Sequence, residues 1–229
     1  MRDVPKRKLA KDLPRPRLTL AQSAEMFDIL AQAHADPVTD LDYTNPFTLV
    51  VAVALSAQST DVGVNRATRD LFPIADTPQK MLALGEDRVR EHIKTIGLYR
   101  NKAKNVIALS QRLVDHHDGE VPESFAALTA LPGVGRKTAN VVLNIAFGWP
   151  VIAVDTHIFR VGNRTGVAPG KTPEEVEDQL MRRVPARHLQ DAHHYLILHG
   201  RYLCTARKPR CYDCPIAHIC KFEPKTPAP

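Results

Sequence analysis

The chain has 229 residues, 44% hydrophobic and 24% charged, with 31 Lys plus Arg against 25 Asp plus Glu and a net charge of +6. This is an ordinary globular composition, which excludes a disordered chain, a collagen and a small disulfide-stapled fold. The longest apolar run, Leu49–Leu55, is seven residues, far short of the roughly 20 that a membrane span needs, and the basic N-terminus lacks the apolar stretch of a secretory signal.

Residues 1–17 hold seven basic groups against two acidic ones, a net of +5, while the other 212 residues hold 24 against 23. The first segment therefore reads as a basic mobile tail, and most of the net charge describes only that tail. Thr19-x-x-Gln22 is a capping box that opens a helix over 20–35. Asn45-Pro46 supplies a cap and a first-turn proline for 47–57, apolar on nearly all sides and so a buried helix. Thr60 or Asp61 caps a helix to 71, Thr77-Pro78 starts a short one, and another spans 86–95 before Gly97. A helix over 98–117 follows, with Gly119 as its stop. Pro122 opens a helix to 131, and Gly135–Phe147 forms the next, ended by Gly148. The strand-like run at 151–154 is too short and isolated to make a sheet. Thr172-Pro173-Glu174-Glu175 is a second capping box, and Pro185 separates its helix from one over 186–203. The expected fold class is all-α, with a mobile end from Pro224. Two cationic stretches remain in the body, 88–104 with six basic groups and only Glu91, and 201–221.

Leu131-Pro132-Gly133-Val134-Gly135-Arg136-Lys137-Thr138-Ala139 lies between two expected helices. Two glycines around one apolar residue let the backbone turn tightly and approach a partner closely. The helix start that follows offers N–H groups and positive dipole, an anion site that fits a DNA phosphate whatever the sequence. A nucleotide P-loop is the rival reading, but Arg136 intrudes between Gly135 and Lys137 and a helix precedes in place of a strand. An inert helix–helix turn is the plainer alternative. Lys137 opposes the dipole of its helix, a placement that suits either an ordinary surface lysine or a nucleophilic amine. Asp155 follows the buried run at 151–154 and suits a helix N-cap, a catalytic carboxylate, or both.

All four cysteines, Cys204, Cys211, Cys214 and Cys220, fall within 17 residues. Core packing would scatter them, and nothing speaks for an oxidising compartment, so a metal site is the strong reading. Zinc usually takes two close pairs, whereas here one close pair is flanked by two wider loops. That pattern suits a cubane iron–sulfur cluster better, without excluding zinc. Arg207, Lys208 and Arg210 lie between the first two cysteines, so a metal-anchored loop offers three cations to a polyanion.

LPGVGRKTANVVLN at 131–144, IAVDTHIFRV at 152–161, LILHGRY at 196–202 and the cysteine spacing together resemble the endonuclease III family, helix-hairpin-helix DNA glycosylases of base-excision repair, over roughly residues 20–222. The resemblance implies two helical domains with a DNA-binding cleft between them. Residues 39–149 would form a six-helix domain with the hairpin, and 18–38 plus 150–229 a domain whose four cysteines hold a [4Fe–4S] cluster. It implies a bifunctional glycosylase and abasic-site lyase in which Lys137 attacks the sugar C1′ of a flipped nucleotide and Asp155 assists, with release of the base, a Schiff base and β-elimination. The substrates implied are oxidised pyrimidines and abasic sites in double-stranded DNA, handled by a cytoplasmic, nucleoid-associated monomer. Gln58 would fill the gap opposite the flipped base, and Leu98 would be the wedge. Gly133, Gly135 and Arg136 would meet phosphate, and a monovalent cation would sit on carbonyls near Thr129, Leu131 and Val134. Two departures, Ser59 after Gln58 and Gly162 where some members carry another cysteine, leave this chemistry untouched. The rivals are an adenine-mismatch glycosylase, whose branch usually lacks the lysine and carries a further C-terminal domain, and a non-catalytic DNA-binding metalloprotein.

Overall fold

The computed structural model describes residues 9–34 and 39–229. Every regular element among them is helical, as the punctuation of the sequence predicts. In chain order these are α1 (Leu20–Ala33), α2 (Pro46–Leu55), α3 (Asp61–Thr68), α4 (Pro78–Leu84), α5 (Glu86–His92), α6 (Tyr99–His117), α7 (Phe125–Thr129), α8 (Arg136–Phe147), α9 (Thr156–Thr165), α10 (Pro173–Arg183) and α11 (Ala192–Tyr202). The basic residues Arg2, Lys6, Arg7 and Lys8, and the expected helix end at Ala35, lie outside the described residues.

The chain divides into two compact units. The first spans Thr39–Gly148 and is built around α2, whose residues from Phe47 to Val53 are all buried. Asn45 caps α2, accepting the Thr48 N–H at 2.9 Å, while the Thr48 hydroxyl accepts the Asn45 N–H at 3.0 Å. Helices α3, α6 and α8 pack on α2, and α4 and α5 pack on α6. The second unit takes the described residues up to 34 together with Trp149–Pro229. Its core joins Met26, Phe27 and Leu30 of α1 to Ile158 and Val161 of α9, Val176 and Leu180 of α10, Leu196 of α11, and Ile216 and Ile219 beyond it. Each such fully buried side chain contributes about 1.5–3 kcal/mol.

Three expectations change. The helix placed over 122–131 shrinks to α7, because the Ser124 hydroxyl accepts the Ala127 N–H at 3.1 Å and fixes the start there. The helix placed over 186–203 is split into a 3-10 turn at Ala186–His188 and α11. Arg187 and His188 both bond Asp28 of α1, at 2.7 and 2.6 Å, which draws that turn onto α1. The run at 151–154 makes no sheet, as expected, and is a buried connection. The tail does not reach residue 17. The Arg17 N–H bonds the Gly166 carbonyl at 2.8 Å, Gln179 Nε2 donates to the Pro14 carbonyl at 2.5 Å, and Leu18 is buried. Residues 14–17 are therefore docked on the second unit, and the basic charge of Arg15 and Arg17 belongs to its surface.

Helices α9 and α11 cross closely because Gly200 has no side chain: a Cβ there would lie 2.8 Å from His157 Cβ and 3.3 Å from the His157 carbonyl. Gly200→Val is expected to cost about 2–3 kcal/mol by overpacking and to lower Tm by roughly 5–10 °C, read by thermal denaturation. An unchanged Tm would show that the crossing yields.

Candidate functional site

In the first unit, α7 and α8 form a helical hairpin pinned by the buried side chains of Leu131 and Val134. The turn closes with the Val134 N–H on the Leu131 carbonyl at 3.1 Å. Gly133 has φ +77°, and a Cβ there would meet the Asn105 side chain at 3.0 Å, so both conformation and space call for glycine. Gly135 differs from the sequence reading: its φ of −92° is open to any residue, and nothing lies within 4 Å of where its Cβ would be. Its missing side chain leaves room rather than shaping the turn. Gly135 also caps α8 without the side-chain hydrogen bond that closes the starts of α1 to α4. An uncapped helix start with open space before it is what an approaching anion needs.

Lys137 is exposed in the first turn of α8 and makes no hydrogen bond or ion pair to any described residue. Arg136 instead lies over the Phe125 ring, 5.7 Å from its centroid, which ties the two helices of the hairpin together. Gln58 and Leu98 also belong to this unit, and both sit in left-handed backbone with φ of 56° and 59°. Leu98 is 58% exposed, unlike most leucines of this unit. Non-glycine residues held in this region cost about 1–3 kcal/mol and cluster at functional sites.

Asp155 belongs to the second unit. The buried residues Val151, Ile152, Ala153 and Val154 deliver it to the start of α9, where its carboxylate accepts the Ile158 N–H at 2.8 Å. It is half-buried, so one carboxylate serves as N-cap and remains reachable.

The four cysteines are free, half-buried thiols lining one pocket. Burial, followed by the neighbouring Cys220, Cys204 and Cys211, pushes the Cys214 thiol up to about 11, and burial also raises Cys220. Nitrogen donors nevertheless surround the sulfurs. The Phe222 N–H reaches Cys220 Sγ at 3.5 Å, Arg164 Nη1 reaches Cys204 Sγ at 3.6 Å, and His199 Nε2 lies 3.7 Å from Cys214 Sγ. Burial first, then the charge of His34, pushes His199 down to about 4, so its imidazole is neutral near pH 7. Thiols that resist ionisation in an apolar pocket, yet face donors suited to thiolate, fit a metal that displaces their protons. Four such thiols suit an iron–sulfur cluster as the donor set, and zinc as well.

Sequence reasoning missed two residues that organise this region. Arg160 Nε bonds the Cys204 carbonyl at 2.9 Å and its Nη2 the Gly200 carbonyl at 2.7 Å. Arg164 bonds the Thr205 and Ala206 carbonyls at 2.6 and 2.7 Å and stacks on Phe222, 4.7 Å from the ring centroid. Their signal was present: two arginines four residues apart share the face of a helix, and a polar loop lies downstream to receive it. The cations of that loop also sort differently than expected. Arg207 and Lys208 are exposed and unpaired among the described residues, whereas Arg210 is held by Asp213 at 3.1 and 2.5 Å.

Two family models match: the HhH-GPD superfamily base excision DNA repair protein over residues 51–186, and the iron–sulfur binding domain of endonuclease III over residues 204–220. The chain is 58% identical over 205 residues to endonuclease III of Escherichia coli (strain K12), covering 90% of this chain and 97% of that protein. It is 56% identical over 201 residues to endonuclease III of Haemophilus influenzae, covering 88% and 95%. Among solved structures, a trapped endonuclease III–DNA covalent intermediate matches with a TM-score of 0.84 at 44% identity, over 89% of this chain and 96% of that one.

Proposed function

The chain belongs to the endonuclease III family, and on that premise we propose that Lys137 is the nucleophile and Asp155 its assisting carboxylate in a base-excision repair DNA glycosylase and abasic-site lyase. One observation carries the assignment: an exposed lysine without a partner among the described residues in the first turn of α8, directly after a glycine turn with open space at its mouth. Lys137 Nζ attacks the sugar C1′ of a nucleotide extruded from the stack, and the damaged base leaves with the bonding pair. Loss of the amine proton and ring opening give a Schiff base. Removal of a C2′ proton then expels the 3′ phosphate by β-elimination. Asp155 assists the lysine and balances the positive charge that develops on the sugar. The bases removed are oxidised pyrimidines, ring-saturated or fragmented.

The partner is double-stranded DNA, and the enzyme acts beside the nucleoid. Gly133, Gly135 and Arg136 meet its phosphate backbone at the hairpin, and Arg207, Lys208 and Arg210 meet it from the cysteine loop. Gln58 and Leu98 insert where the base leaves the stack. Cys204, Cys211, Cys214 and Cys220 hold the family's [4Fe–4S] cluster, which anchors that loop. A monovalent cation on the carbonyls near Thr129, Leu131 and Val134 would brace the hairpin. No helix among the described residues is long and apolar enough to cross a membrane.

The test is a duplex with one abasic site. The expected result is a nick on the 3′ side with an unsaturated aldehyde end, and a covalent protein–DNA adduct when borohydride is present. Binding with steep salt dependence but no nick would favour the metalloprotein reading. Base release from adenine mismatches without a nick would favour the mismatch glycosylase.

A further inference from the structure

Lys102 of α6 is 7% exposed, yet its ammonium has no carboxylate among the described residues. Its Nζ donates to the Ser59 hydroxyl at 2.8 Å, across 43 residues of sequence. Burial pulls its pKa below the ordinary lysine value. A buried cation with one neutral partner is expensive to keep, and its position shows what it holds. Ser59 directly follows Gln58 and lies one helical turn beyond Leu55, the last residue of α2, where the negative end of the helix favours a cation. The backbone N–H of the same Lys102 bonds the carbonyl of Leu98 at 3.0 Å. Gly97 lies against the same turn, because a Cβ there would be 3.8 Å from the Gln58 carbonyl. One residue thus grips two of the three segments that place a described non-glycine side chain in left-handed backbone, the third being Asp118 at the end of α6.

We propose that Lys102 and Ser59 form a strut that fixes the Gln58 and Leu98 turns as one preformed element, making both of them positioning residues for opening the base pair at a lesion. The inference rests on the reading of Gln58 and Leu98 as the inserting side chains. A strained turn persists only where its surroundings over-determine it, and a wedge acts most efficiently when its geometry is set before DNA arrives. The Ser59 hydroxyl, which in the sequence reading touches nothing in the chemistry, supplies the acceptor for an otherwise unpartnered ammonium. Alanine at 59 would leave that ammonium buried and unbonded.

The experiment uses the full-length holoenzyme and a duplex carrying a reduced abasic-site analogue beside 2-aminopurine, whose fluorescence reports unstacking. Ser59→Ala is expected to slow the unstacking phase and to lower the ratio of affinities for analogue and undamaged duplex about 5–10-fold. Ser59→Thr, which keeps the hydroxyl, is expected to restore both. Lys102→Met is expected to match Ser59→Ala, and the double variant to be no worse than Lys102→Met, since both remove one contact. Normal unstacking in Ser59→Ala, with a slow phase in Leu98→Ala, would overturn the strut alone. Normal unstacking in Leu98→Ala would overturn the reading of the wedge and the strut with it. Equal losses on both duplexes would show a purely structural contact and would also overturn the proposal.

Discussion

Replacing Lys137 with glutamine is expected to abolish the borohydride-trapped adduct and to reduce strand cleavage at an abasic site by at least about 10³-fold, because the nucleophilic amine placed at the hairpin is lost. Glutamine keeps the length and helix propensity of lysine but offers an amide whose nitrogen is no nucleophile. The lysine side chain is exposed and bonds no described residue, so stability should change by less than about 0.5 kcal/mol. An intact adduct in Lys137→Gln would remove the assignment. Asp155→Asn divides the two roles of the carboxylate. Asparagine still accepts the Ile158 N–H as an N-cap, so the fold should hold, while turnover falls by about 10²–10⁴-fold with the loss of charge. Comparable losses of Tm and turnover would mean that Asp155 only caps α9.

Cys214→Ala is expected to give colourless protein without bound iron and to lower Tm by roughly 10 °C or more, since metal binding and folding are one equilibrium for such a loop. Residues 204–222 contain only one short 3-10 turn, Cys211–Asp213, and are otherwise irregular. Few backbone bonds tie them down, among them the Lys221 N–H to the Thr165 carbonyl at 3.1 Å and the Arg210 N–H to the Leu203 carbonyl at 2.9 Å. Ile216 and Ile219 sit in the same core as Phe27 and Leu196, so a freed loop takes part of that core with it. Limited proteolysis should cut within 204–222 in the variant and spare 39–148. Protein that keeps its iron and its Tm would show that the remaining thiols suffice.

Much of this architecture was legible locally. The capping box at Thr19 and Gln22 forms with bonds of 3.0 and 3.1 Å, and Thr77-Pro78 and Thr172-Pro173 open helices where their residue types direct. Such signals depend on neighbours three or four positions away, which a sequence displays. The glycine turn, the single lysine after it and the clustered cysteines were legible for the same reason. What escaped depends on distant partners. Nothing near Pro14 announces that Gln179 holds its carbonyl, and Arg187 and His188 break a helix only because Asp28 lies opposite. Asp213 was visible beside Arg210, but its choice of that arginine over Arg207 or Lys208 is a matter of loop geometry. Lys102 shows the limit best. Its stretch read as one of two cationic surfaces, yet its ammonium points inward to a serine 43 residues away.

The second unit is assembled from two pieces of chain, with the whole of 39–148 inserted between them. During synthesis the first unit emerges as one uninterrupted length and can close on itself. Helix α1 cannot: the surfaces that cover Met26, Phe27 and Leu30 belong to α9, α10 and α11, more than 120 residues downstream. At ordinary elongation rates that apolar face waits on the order of 10 s before its partners leave the ribosome. The pairing is also non-local, which slows closure further. The nascent chain therefore passes through an interval in which a finished repair hairpin trails an uncovered helix. That helix is the segment for which holdase chaperones would compete.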